Sequence, residues 1–240
     1  GAIATLVRTG RLQSYDMRVF CTANTPAGQP CILTIAPVPG ETPDPRLADI
    51  TIRHLLDHKG GWDNSKSPYG DMVFKTTAAA TALALPVPVG ARGLMRYAVG
   101  KPLDFTPGTS RAYANIGYVA LGLVITQVTG VDLLTYLRDQ YLAPKDANDI
   151  GTAYGLPSLR QGREPWYDSV ETGPSAYDPR QTVSLADGGI AVESGGGAGS
   201  LIATGRSMGK ALDPGFLAAL PLKRIGTGVG SLPGTLAVWL

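Results

Sequence analysis

At 240 residues the chain is long enough to bury a core as one large domain, with no need of metals or disulfides as staples. Apolar residues make up 44% and charged residues 17%, below the usual charged share of roughly 25%, which excludes a disordered charged tail protein. Twenty-one Lys and Arg against nineteen Asp and Glu leave +2, too little and too scattered for a nucleic-acid footprint. No run of apolar residues is long enough to read as a membrane span. With 31 Gly and 19 Pro, the chain reads as a globular domain with long, turn-rich connections.

Residues Ala2 to Thr9 read as the end of an amphipathic helix, with Ile3, Leu6 and Val7 at helical spacing and Gly10 in the stop position. The chain opens on Gly1, with no charged stretch leading into an apolar one. The expectation is a processed chain or the interior of a longer one. Cys21 and Cys31 bracket a turn-forming stretch with Pro26, Gly28 and Pro30. That spacing permits a loop disulfide in an oxidising compartment, and equally suits two thiols of a reduced domain. From Cys21 to Pro45 six prolines and weak periodicity read as a long surface connection.

Asp49 can cap a helix over 51–58 with Ile52, Leu55 and Leu56 on one face, ended by Gly60-Gly61. Further helices are expected from Thr76 to Leu85, stopped by Pro86 and Pro88, and from Ala91 to Val99, stopped by Gly100. The strongest helical pattern follows Asn115 and runs to Gly130, after which Asp132 can cap another reaching Tyr141. Beyond Pro144 the chain is irregular, with strand-like runs at Thr182–Leu185 and Ile190–Val192. Helical character returns over Ser200–Leu212, and a last strand-like run spans Thr235–Leu240. No internal repeat is visible.

Four motifs bear on chemistry. Ser207-Met208-Gly209-Lys210 places a hydroxyl and an amine one helical turn apart, where a neutral amine can accept the hydroxyl proton. An exposed helix with a solvated Lys explains it as well. His54 and His58 would point the same way on a helix, but Leu55 and Leu56 stand where a zinc protease carries its Glu, and no third ligand is indicated. Gly195 to Gly205 lacks the spacing and the lysine of a phosphate loop and reads as a tight turn. Tyr113 and Asn115, two apart before a long apolar helix, point a phenol and an amide the same way.

Taken together, these stretches resemble the serine β-lactamase and penicillin-binding-protein superfamily, closest to its class C-like branch of esterases, D-aminopeptidases and carboxypeptidase-like hydrolases. Ile50 to Asp63 resembles the family's helix and turn. Phe105 to Thr109, Tyr113 to Tyr118, Leu121-Gly122 and Val128 to Gly130 resemble its Tyr-x-Asn segment. Gly197 to Ser207 resembles its later Gly-rich turn and helix, and Gly230 to Thr235 the strand beside the active site. The resemblance implies an α/β (α+β) fold, an antiparallel sheet flanked by helices with an all-helical region beside it. It implies one domain over 1–240, truncated at the N-terminal nucleophile segment and the C-terminal strands and helix.

The function implied is acyl transfer to water from a small-molecule ester or amide, without a cofactor. Tyr113 would be catalytic, moving protons, with Asn115 and Ser231 binding substrate. The family's Ser-x-x-Lys would lie upstream of Gly1, leaving residues 1–240 inactive alone. The third motif aligns with Gly228-Val229-Gly230, or with Gly226-Thr227-Gly228, and carries no cation in either register. A non-catalytic binding relative is the alternative, and a zinc protein using His54 and His58 a third reading. A periplasmic or extracellular location is expected, while oligomeric state and substrate stay open.

Overall fold

The structure is a computed structural model that describes residues 1–162, 164, 170–211, 229–232 and 235–238. At residues 209, 211, 229–232 and 235–238 it describes the backbone alone. The fold is mixed α/β, as expected: helices packed on a shared core, with short strands in two-stranded sheets among the described residues.

Helix α1 (Ala2–Arg8) buries Ile3 and Leu6 and ends before Gly10, whose φ is +74°. Strands β1 (Arg18–Phe20) and β2 (Cys31–Leu33) then pair in parallel. The expected surface connection from Cys21 to Pro45 is therefore corrected. Leu33, Ile35 and Val38 are buried, because β1 pairs with the backbone as far as Leu33 and the Arg92 and Arg96 side chains donate to the Thr34, Ala36 and Pro37 carbonyls beyond it. Cys21 and Cys31 are disulfide-bonded across the intervening loop.

Helix α2 spans Ile52–Leu56, and its cap is Thr51 rather than Asp49. The Thr51 hydroxyl accepts from the His54 amide, and His54 Nδ1 accepts from the Thr51 amide. Asp49 pairs instead with Arg18 at 2.8 Å. Helices α3 (Thr76–Leu83) and α4 (Gly90–Val99) follow close to the expected limits.

Helix α5 (Asn115–Thr129) is the pillar of the fold. Ile116, Val119, Ala120, Leu121, Val124 and Ile125 are all buried, so it is apolar around most of its circumference and covered on most sides. It packs against α2, α4 and β2, and ends at Gly130 in the left-handed conformation. Asp132 caps α6 (Leu133–Thr135) by accepting from the Thr135 amide, and the chain continues helically to Lys145. Among the described residues no single helix is long and apolar enough to cross a membrane.

Strand β3 (Gly151–Thr152) pairs antiparallel with β6 (Leu201–Ile202), and β4 (Thr172–Pro174) with β5 (Thr182–Ser184). The strand expected at Ile190–Val192 is absent; a 3-10 stretch, Val192–Ala198, occupies that region. Its glycines allow backbone to meet backbone. A Cβ on Gly122 of α5 would lie 2.9 Å from the Gly197 nitrogen, and one on Gly197 2.3 Å from the Tyr118 carbonyl. The glycine run is thus a packing surface under α5. Helix α7 (Gly205–Ala211) starts later than the expected Ser200, since Leu201 and Ile202 are used in the ladder with β3. Strands β7 (Val229–Leu232) and β8 (Thr235–Val238) form an antiparallel hairpin.

Candidate functional site

Two segments zip together. The turn leaving α2 runs alongside Leu103–Asn115: the Gly108 amide donates to the Lys59 carbonyl at 2.8 Å and the Ala112 amide to the His58 carbonyl at 2.9 Å. Both Asp104 and Phe105 amides donate to the Gly61 carbonyl, at 2.8 and 3.2 Å, and the Asn64 amide donates to the Tyr113 carbonyl at 3.2 Å. Asp44 and Arg46 clamp the start of the second segment. Asp44 Oδ2 accepts from the Leu103 amide at 3.0 Å, and Arg46 Nη2 donates to the Leu103 carbonyl at 2.7 Å. Gly61 is required by this approach: its φ is +108°, and a Cβ there would lie 2.9 Å from the Phe105 carbonyl oxygen.

The zipper delivers Tyr113 and Asn115. Ala114 between them is extended (φ −148°, ψ 115°), so the two side chains fall on one side. The Tyr113 hydroxyl donates to Asn115 Oδ1 at 2.8 Å, and Asn115 Nδ2 donates to Asp71 Oδ2 at 2.6 Å. Asp71 in turn caps the 3-10 turn Met72–Phe74, its Oδ1 accepting from the Val73 amide at 3.1 Å. Desolvation, partly offset by these hydrogen bonds, holds the Asp71 carboxyl above the usual carboxylate range. Although Tyr113 is 63% exposed, its hydroxyl is turned onto Asn115. Partial desolvation there, and then the Asp71 charge, push its phenol up.

His58 backs the tyrosine. It sits in the left-handed region at φ +55°, with its ring centroid 4.7 Å from that of Tyr113 and 5.0 Å from that of Tyr118. Its Nδ1 accepts from the Ala114 amide at 3.4 Å. Burial, with Arg111 second, holds the imidazole below the usual histidine range. Because α2 ends at Leu56, His54 and His58 do not share a helical face. His54 closes the capping box and lies against Gly108, while His58 steadies the Tyr113 segment.

The Ser207/Lys210 pair comes apart as chemistry. Ser207 is 5% exposed inside α7, and the Lys210 ammonium is engaged by Asp146, both its carboxylate and, at 2.9 Å, its carbonyl. These contacts commit the ammonium to Asp146. The same serine stands in Gly205-Arg206-Ser207-Met208-Gly209, which fits a nucleophile-elbow pattern on paper. An elbow exposes its serine on a strained turn, whereas Ser207 is buried in regular helix. Ser231 falls on β7, opposite Leu236, and its side chain lies outside the described residues, as do Gly226 to Gly228. Sequence reasoning missed Asp71. Its one signal is an acidic residue ahead of the short apolar run Met72-Val73-Phe74, which suits a cap and says nothing of the site.

A family model described as Beta-lactamase matches residues 1–232. Among solved structures, the D-stereospecific amidohydrolase from Streptomyces sp. aligns with a TM-score of 0.56 and 19% identity, covering 88% of this chain and 55% of that one. The penicillin binding protein from Bacillus halodurans aligns with a TM-score of 0.55 and 20% identity, again over 88% of this chain and 55% of that one. These likenesses show the fold. Among curated proteins, a probable fimbrial assembly protein FimD, serogroup H1, from Dichelobacter nodosus is 31% identical over 102 residues, 42% of this chain and 23% of that protein. The chain spans about half the length of the solved relatives and under a quarter of that curated one.

Proposed function

This chain belongs to the Beta-lactamase family, and from that premise we propose that it forms part of a serine hydrolase that transfers the acyl group of a small ester or amide to water. Tyr113 and Asn115 are the proton-handling pair beside a nucleophile supplied from outside residues 1–240. The observation that carries this reading is the Tyr113–Asn115–Asp71 hydrogen-bond line held at the end of the zipper, with the phenol exposed and its hydroxyl already directed. A phenol placed so, keeping its proton, can hand it to a leaving group and regain one from the attacking hydroxyl. Of the alternative pair, Ser207 is buried and Lys210 is ion-paired with Asp146. Ser231 is proposed to border the substrate, as the resemblance of Gly230 to Thr235 implies.

The test is made in the full natural chain that carries these residues. Tyr113→Phe should lower kcat/KM for p-nitrophenyl ester hydrolysis by about a hundredfold or more, the usual scale of a positioned acid or base. Ser207→Ala should leave it within about twofold, since a hydroxyl buried in α7 and outside the proposed chemistry contributes nothing made only in the transition state. Equal effects of the two would refute the assignment. A second reading, a cleft retained for binding without turnover, is favoured by one observation: the charge that acts on Tyr113 is the Asp71 carboxylate, which opposes ionisation of the phenol. Failure of a fluorophosphonate probe to label the full chain at any serine would support that reading over hydrolysis.

A further inference from the structure

We propose that Asp71 is a positioning residue for this site: its carboxylate locks the Asn115 amide with Oδ1 toward Tyr113 and so fixes the phenol as a hydrogen donor toward Asn115. The proposal rests on the reading of Tyr113 and Asn115 as the proton-handling pair. An ionised carboxylate only accepts hydrogen bonds, while a primary amide presents an acceptor on one end and donors on the other. With Asp71 Oδ2 at 2.6 Å, the end of Asn115 facing it must be Nδ2. The other end, Oδ1, therefore faces Tyr113, whose hydroxyl has to donate to it at 2.8 Å. The direction of the whole line is set at Asp71, three side chains long and two of them half-buried.

The carboxylate is itself held in place. Its second oxygen accepts from the Val73 amide, so the cap of the Met72–Phe74 turn aims the first oxygen at Asn115. Asn115 opens α5, the most buried helix, so its backbone is fixed as well. Charged and titratable groups facing the line are Lys75, which acts on Asp71, Tyr118, which interacts with Tyr113, and His58, whose ring lies against both tyrosines and is itself influenced by Arg111. The negative charge of Asp71 also favours the protonated phenol, the same direction in which the hydrogen bond acts. Tyr113 thus keeps its proton into the alkaline range, while its oxygen retains lone pairs for a donor on the open side.

The test uses two variants in the full natural chain. Asp71→Asn keeps size and an oxygen for one partner, but must turn a donor toward either Asn115 or Val73. Asp71→Ser preserves a capping hydroxyl yet removes the charge, and separates the cap from the line to Tyr113. Two readouts are taken: the pH–rate profile for p-nitrophenyl acetate, and the titration of Tyr113 by NMR with 13Cζ-labelled tyrosine, assigned with Tyr113→Phe. Both variants should lower kcat about tenfold or more with KM within about twofold, as expected for loss of an orienting contact. The alkaline limb of the profile and the Tyr113 titration should both move to lower pH. A fall in activity with the limb and the titration unmoved, or no change in either, overturns the proposal. If Tyr113→Phe keeps full activity, the assignment of the pair has failed instead, and the NMR titration still decides whether Asp71 governs the phenol.

Discussion

Replacing Gly61 by alanine tests whether the zipper is what holds the candidate site together. Two costs combine. A side chain at φ +108° occupies a region L-residues avoid, at about 1–2 kcal/mol on the scale of left-handed backbone. In addition the new Cβ would stand 2.9 Å from the Phe105 carbonyl oxygen and 3.0 Å from Leu103 Cδ1, so the two segments must part. Parting weakens the hydrogen bonds from the Asp104 and Phe105 amides to the Gly61 carbonyl, each worth about 1 kcal/mol net. The sum is about 3–4 kcal/mol. Gly70→Ala supplies the control, because Gly70 is also left-handed, at φ +62°, but nothing lies within 4 Å of its Cβ position. It should show the conformational cost alone, about 1–2 kcal/mol. Urea unfolding of both variants gives the difference as the contact term. If Gly61→Ala proves no more costly than Gly70→Ala, the close approach of the two segments is not what stabilises this region.

Three further outcomes follow from the same geometry. The imidazole of His58 is held below its ordinary value, so the unfolded chain takes up the proton first as pH falls. Its contribution to stability is full above about pH 6.5 and is lost as pH drops from there toward the folded value. His58→Asn, which tolerates the left-handed backbone and keeps an acceptor for the Ala114 amide, should flatten that slope in urea melts between pH 5 and 8. An unchanged slope would remove His58 as its source. Reduction of Cys21–Cys31, which are ten residues apart, should cost about 2–3 kcal/mol by the loop-closure argument. Comparing thermal melts with and without reductant measures it, and two titratable thiols in the unreduced protein would contradict the bond. Finally, Gly197→Ala should destabilise the chain by about 2 kcal/mol or more, since its Cβ would meet the Tyr118 carbonyl oxygen at 2.3 Å. A neutral result in the same urea assay would argue against the packing role of the glycine run.

Legibility in the sequence followed the range of the interactions concerned. Helix α5 and its end at Gly130 were readable because apolar spacing and a terminal glycine act within a few residues. Tyr113 and Asn115 were readable as a pair for the same reason: two residues apart in an extended stretch share a side. The cap of α2 was misplaced by two residues, since Asp49 and Thr51 both suit the role and a distant partner, Arg18, takes Asp49 away. Burial of Leu33, Ile35 and Val38 was hidden by the prolines around them. Asp71 was invisible because its partner lies 44 positions along the chain.

The amino-acid sequence by itself determined the helices, the phenol–amide pair and the resemblance to a family of serine hydrolases, since periodicity, turn residues and short motifs are local properties. Only the tertiary structure decided that the turn after α2 and the segment before α5 run hydrogen-bonded side by side, that Lys210 is ion-paired with Asp146, and that the amide of Asn115 donates to Asp71. Those outcomes depend on which residues remote in the chain come within hydrogen-bond reach, and a one-dimensional pattern carries no record of that distance.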